Sequence, residues 1–158
     1  MIIKTKKYQL DKKTYIKLAL VNVLKQQWWA FLIPLALIIA GLFLPGTGWY
    51  ISGAILLTVL YLLFWLIQFT GVTQLEQSKI IFDRLSYEID SRQVMIKLNP
   101  RQGSPIQWNM IKRAEKGKDY FLLIISKGQL IYLPYKVFNS ENDIRFMESI
   151  LKRKNYIK

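Results

Sequence analysis

The sequence predicts an α+β protein, a two-helix transmembrane hairpin followed by a small antiparallel β domain closed by a C-terminal helix. Three observations predict it. Trp28–Leu44 and Trp49–Phe69 are apolar runs without a single Asp, Glu, Lys or Arg, separated only by Pro45-Gly46-Thr47-Gly48. From Ile80 onward, short segments rich in apolar and β-branched residues alternate with turn residues. Finally, Ile144, Met147, Ile150 and Leu151 form one stripe at helical spacing over Glu141 to about Lys154.

At the N-terminus, residues 2–10 (IIKTKKYQL) read as a strand with Ile3, Thr5, Lys7 and Gln9 on one side and Lys4, Lys6, Tyr8 and Leu10 on the other. That strand is positioned to add to the edge of the β domain. Asp11 offers a helix cap, and Lys12 to Gln27 carries Ile16, Leu20, Val23 and Leu24 at helical spacing. Residues 1–27 are thus a strand and an amphipathic lead-in helix, which either lies on the membrane surface or simply extends the first span.

The hairpin occupies residues 28–69, with spans over 28–44 and 49–69. At about 1.5 Å per residue the spans reach roughly 25 and 31 Å, against a hydrocarbon core about 30 Å thick. Trp28, Trp29, Trp49, Tyr50 and Trp65 stand near the ends of the runs, where aromatic rings with one polar edge favour the headgroup level. Pro45, Gly46 and Gly48 suit a tight reversal. Pro34 is expected to kink the first span, and Ala40, Gly41, Gly53 and Ala54 to permit close helix contact. The spans contain no ionisable residue at depth, so the sequence offers no proton or ion path.

Residues 70–158 read as the β-rich domain. The second helix is expected to continue toward Ser78. Strands are expected over Ile80–Asp90, Gln93–Asn99, Pro105–Trp108, Ile111–Glu115, Tyr120–Ser126 and Gln129–Pro134. FLLIIS-KG-QLIYLP is the clearest of these, a hairpin turning on Lys127-Gly128. Asn139 or Ser140 caps the last helix.

Charge orients the chain. Seven lysines (Lys4, Lys6, Lys7, Lys12, Lys13, Lys17, Lys25) face one acid, Asp11, before the first run, and the other 16 basic residues face nine acids after the second. The inter-span turn is uncharged. Both termini are therefore expected in the cytoplasm, making a multi-pass protein of the cytoplasmic membrane whose net charge of +13 suits anionic headgroups better than nucleic acid.

The chain has no His and no Cys, which removes the commonest general base, the thiol nucleophile and most transition-metal sites. Asp83, Glu88 and Asp90 lie close in sequence, but Glu88 and Asp90 read as a solvated pair beside a turn. Ser104 and Ser126 have no partner base, and there is no glycine-rich phosphate loop. No enzyme, cofactor or metal is expected.

Three stretches carry a family resemblance. They are Ile106-Gln107-Trp108-Asn109-Met110-Ile111, Asp119-Tyr120-Phe121-Leu122-Leu123-Ile124, and Tyr132-Leu133-Pro134-Tyr135-Lys136-Val137-Phe138. They resemble the I-x-W-x-x-I motif, aromatic strand and I-P-K-x-x-F box of the YcxB-like family of bacterial membrane proteins, with Tyr135 inserted between Pro134 and Lys136. The resemblance implies an N-terminal strand and helix, two transmembrane helices and a cytosolic β-rich domain. It implies no chemistry. The strands-then-one-helix order also looks similar to pleckstrin-homology-like domains. Trp108 and Phe138 read as core anchors, and Pro134 as a strand end.

Two functions are compatible with these features. The first is a membrane-anchored protein-binding or regulatory module, with another membrane or cytosolic protein, or a second copy of itself, as partner beside the lipid bilayer. The second is recognition of anionic lipid by Arg101, Lys112, Arg113, Lys116, Lys118 and Lys136. A small immunity-type membrane protein is a further alternative that only genomic neighbours address.

Overall fold

A computed structural model describes residues 2–99 and 102–157. Strands β1 (Ile3–Lys4) and β2 (Tyr8–Gln9) precede helices α1 (Lys12–Gln26), α2 (Leu32–Phe43) and α3 (Thr47–Val72). Strands β3 (Arg84–Ile89), β4 (Gln93–Asn99), β5 (Gln102–Gln107), β6 (Arg113–Lys116), β7 (Tyr120–Ile124) and β8 (Leu130–Pro134) follow, and α4 (Glu141–Arg153) ends the chain. One antiparallel sheet has the order β1-β3-β4-β5, with β2 also on β3; the other has the order β6-β7-β8. The class is α+β, with the C-terminal helix after the strands, as the sequence predicts.

The N-terminal strand does join the edge of the sheet. Ile3 pairs with Ile89 and Lys4 with Glu88, then Tyr8 with Leu85 and Gln9 with Arg84. It does so in two pieces, because the amide of Lys6 leaves the ladder and donates to the carbonyl of Val137 at 2.8 Å. Inward residues are therefore Ile3 and Thr5 before the break and Leu10 after it. That change of phase replaces the single alternation expected over residues 2–10. The three helices α1 to α3 are thus an excursion between strands of one sheet.

The β6–β8 sheet is covered on both faces. Phe121, Leu123, Ile131 and Leu133 point into a first core with Ile3, Leu85, Tyr87, Ile89, Val94, Trp108 and the inner face of α4. Leu122, Ile124 and Leu130 point the other way, into a second core with Leu10, Tyr15, Ala19, Val23, Phe69 and Phe82. A strand buried on both faces cannot alternate, which is why β7 and β8 read as continuous apolar runs. At their connection the carbonyl of Gln129 accepts from both Ile125 and Ser126 (3.0 and 3.1 Å), a bulge-like irregularity, and Ser126 Oγ accepts from the Gln129 amide. Ser140 caps α4 by accepting from the amide of Asp143 at 3.2 Å.

Four expectations meet a different local structure. Among the described residues, α3 alone is by itself long and apolar enough to cross a membrane, and α1 with the helical segment after it passes the same test only as a bent pair. The first run forms a 3-10 turn over Trp28–Phe31 and then the 12-residue α2, and this pair is bent by 73° from α1. Pro34 lies in the first turn of α2. It has no amide hydrogen, and its ring crowds the carbonyl four residues back, at Ala30, which favours an α-helix that begins beside it over one continuous from Trp28. Third, Ile80–Phe82 belongs to a 3-10 segment (Glu76–Phe82) instead of a strand, and this reversal seats the Phe82 ring edge-on to Tyr15 at 5.2 Å. Fourth, Trp108 opens a 3-10 turn (Trp108–Met110) rather than ending a strand.

Candidate functional site

Two places merit attention: the basic residues around β6 and the junction where α1 meets the sheet. The strand β6 divides the predicted cluster. Alternate residues of a strand face opposite ways, so Arg113 and Glu115 point toward α1, whereas Ala114 and Lys116 point toward α4. Arg113 Nη2 donates to Glu115 Oε1 at 2.6 Å and to Asn22 Oδ1 at 3.3 Å. Lys25 Nζ reaches the same Glu115 at 3.1 Å. Lys116 Nζ pairs with Glu148 of α4 at 2.8 Å, and Lys152 reaches Glu148 at 3.2 Å. The hydrogen bonds from Lys116, first, and Lys152 hold the Glu148 carboxyl below its ordinary range, and the same contact raises Lys116.

Lys136 lies elsewhere, over the ring of Tyr8 at 5.6 Å. Lys112 and Lys118 are exposed, and Arg101 is outside the described residues. The five described residues therefore do not form one open cationic face: Arg113 and Lys116 are already paired, on opposite sides of the strand.

The junction with α1 is a feature the sequence reading missed. The buried stripe of α1 is Tyr15, Ala19, Asn22 and Val23, rotated from the expected Ile16, Leu20, Val23 and Leu24. Asp11 caps the helix by accepting from the Thr14 amide at 3.2 Å. Tyr15 donates its hydroxyl to the carbonyl of Gly128 at 2.7 Å, tying α1 to the β7–β8 connection. Its phenol is raised by burial. Asn22 is buried, and its Nδ2 and the Nε of Arg113 have no hydrogen-bond partner among the described residues. Beside Asn22, a cavity of about 30 Å³ lined also by Lys25 and Glu115 has room for one water. A polar Asn on the Tyr15–Ala19 stripe was the available signal for this junction.

A wider cleft of about 540 Å³ opens between the start of α1 and the chain leaving α3, lined by Gln9, Asp11, Lys12, Thr73, Lys79 and Asp83 among others. The other acids of the sequence reading have structural partners. Glu88 pairs with Lys97 at 2.7 Å, and Asp90 Oδ1 accepts from the amides of Arg92 and Gln93 at 2.6 and 2.8 Å. Trp108 is a core anchor whose Nε1 donates to the carbonyl of Asp90 at 2.9 Å.

In the helical excursion, α2 and α3 pack together and leave the rest of their surface apolar and exposed. Only Ala54 and Phe69 of α3 are buried. Gly41 lets the helices approach, since a Cβ there would lie 2.8 Å from Tyr50 Cβ; Gly53, by contrast, faces open space. Thr47 Oγ1 donates to the carbonyl of Gly41 at 2.8 Å, and Gly46 turns the chain at φ +90°. Soluble proteins rarely expose apolar patches beyond a few hundred Å².

These observations define a class: an α+β unit of two antiparallel sheets closed by a C-terminal helix, with an apolar helical hairpin inserted after its first strands. Within it, residues 89–151, from the end of β3 into α4, match the family model described as YcxB-like protein. No curated protein and no solved structure matches the chain.

Proposed function

We propose that this chain is a membrane-anchored module whose β-sheet unit binds another protein at the cytoplasmic face of the cytoplasmic membrane, in a regulatory rather than catalytic role. The observation that carries this reading is the second core. Phe69 of α3 and Tyr15, Ala19 and Val23 of α1 pack directly on Leu122, Ile124 and Leu130 of the sheet. Helices and sheets therefore share one packed interior, and the sheets are held in a set orientation at the foot of the hairpin.

Helix lengths support two crossings. At about 2.0 Å per residue in the 3-10 turn and 1.5 Å in α2, Trp28–Phe43 rises roughly 26 Å. The part of α3 from Thr47 to Phe64, above the residues that pack on the sheet, rises roughly 27 Å. Both approach the hydrocarbon thickness of about 30 Å. The lysines before α2 and the basic residues after α3 favour both termini on the cytoplasmic side. Binding rather than catalysis is supported by the residue chemistry: His and Cys are absent from the sequence, and Glu88, Glu115 and Glu148 are each tied to lysine or arginine.

A photo-crosslinking amino acid at the exposed Ser104 of β5 or at Met110, in the full chain expressed in intact cells, tests the proposal. A discrete protein adduct, or a dimer of the chain, is expected. Reaction with neither at both positions and at a third on α4, Asn142, would overturn it.

A further inference from the structure

We propose that the outer face of α1 is a second membrane-contact site, lying along the headgroup layer of the same bilayer and binding anionic phospholipid through Lys13 and Lys17. The inference rests on the anchoring proposed above.

The bend of 73° between α1 and the helical segment that follows sets α1 across the hairpin rather than in line with it. Its end is held at the hairpin, because Gln27 Oε1 accepts from the hydroxyl of Tyr61 on α3 at 3.1 Å. The next residues, Trp28 and Trp29, are 64% and 54% exposed. Indole rings at a span boundary mark the headgroup level, so α1 leaves the hairpin at that level and runs nearly in its plane.

The inner face of α1 is used by the sheet. Its other face carries apolar and cationic side chains together: Val21 is 42% exposed, Leu24 is half-buried, Lys13 and Lys17 are exposed, and Ile16 and Leu20 stand at its border, packed in part against the second core. Lys13, Ile16, Lys17, Leu20 and Val21 line a shallow groove of about 380 Å³. Lys13 and Lys17 make no ion pair among the described residues, unlike Lys25 on the inner side, which is tied to Glu115.

A protein groove would also accept the apolar residues. The bilayer is the occupant favoured here because the face is continuous with the hairpin through Trp28 and Trp29, and because its lysines lie where long cationic side chains reach phosphates while their stems cover apolar surface. Residues 1–27 hold seven lysines and one acid, and that acid, Asp11, is engaged as the helix cap.

The chain has no cysteine, so single-cysteine variants of the full-length protein can each carry one fluorophore. Val21→Cys reports the outer face of α1, Leu57→Cys the hairpin, and Asn142→Cys the exposed side of α4. Each is reconstituted in vesicles of phosphatidylcholine alone or with phosphatidylglycerol, containing lipids spin-labelled at a shallow or a deep carbon. The Val21 label is expected to be quenched by shallow labels, most strongly in anionic vesicles, the Leu57 label by deep ones, and the Asn142 label by neither. Replacing Lys13 and Lys17 together by Glu should lower shallow quenching at Val21 at least about twofold in anionic vesicles, as should high salt. Quenching at Leu57 with none at Val21 would overturn the inference and leave the anchor intact; no quenching at Leu57 would overturn the anchor itself. Equal quenching at Val21 in both vesicles, unaffected by the double substitution, would overturn the anionic-lipid assignment.

Discussion

Both faces of the β6–β8 sheet carry buried apolar residues but are covered by different parts of the chain. On one face, Phe121, Leu123, Ile131 and Leu133 meet the larger sheet and α4, an arrangement in which strands and helix close a core between them. On the other, Leu122, Ile124 and Leu130 meet α1, the lower end of α3 and Phe82, all outside the YcxB-like stretch. The first face makes a folded unit; the second fastens the hairpin to it. Protein on both sides leaves no polar face, so the sheet and the helices depend on each other.

This contrast can be broken by emptying each core in turn. Phe121→Ala and Tyr15→Ala both remove a fully buried ring, and each is expected to cost about 3–5 kcal/mol. The location of the damage should differ. In detergent-solubilised full chain, hydrogen exchange after Phe121→Ala should rise through β3, β4, β7 and α4. After Tyr15→Ala it should rise in α1 and the foot of α3 while α4 keeps its protection. Equal loss in α4 from both variants would show the two cores to be one cooperative unit.

How much of this was legible in the sequence follows from the same contrast. The hairpin β7–β8 and α4 were legible because burial on two faces, or on one stripe, writes a continuous or periodic apolar pattern. The phase of α1 was not. Its half-buried Ile16, Leu20 and Leu24 look more apolar than its buried stripe, which contains Ala19 and Asn22. Where half-buried flanks are as apolar as the buried stripe, periodicity alone cannot say which side of a helix meets the sheet. The described residues of the expected cationic cluster are divided for a related reason. Sequence proximity around Lys112–Lys118 ignores that neighbouring strand residues face opposite sides, and that Glu115 and Glu148 neutralise one residue on each.

A smaller effect separates the hairpin's own contact from its attachment. Gly41→Ala places a Cβ 2.8 Å from Tyr50 Cβ, a contact that neither backbone can relieve without moving, and overpacking of this kind costs about 1–3 kcal/mol. Gly53→Ala faces open space and should be neutral or stabilising, by up to about 1 kcal/mol from helix propensity. Thermal unfolding of the two variants in the same detergent compares them directly. Equal midpoints would mean that the α2–α3 approach is looser than the packing at Gly41 requires.

The smallest effect at neutral pH sharpens the comparison from the first core. Burial, and to a lesser degree the neighbouring Tyr8, pushes the Tyr87 phenol up from 10.0 to about 12. Because the folded value is raised, the unfolded chain gives up this proton first as pH rises. The contribution of Tyr87 is therefore complete below pH 10 and is lost progressively as pH climbs toward 12. Tyr87→Phe keeps the ring in the first core but has no proton to lose. Its stability should match that of the parent chain near neutrality and exceed it increasingly above pH 10, with lysine deprotonation affecting both alike. Thermal midpoints of the pair measured across that range give the difference. Parallel curves would mean that alkaline opening begins somewhere other than the first core, and the second core, where Tyr15 is also raised by burial, would be the next place to substitute.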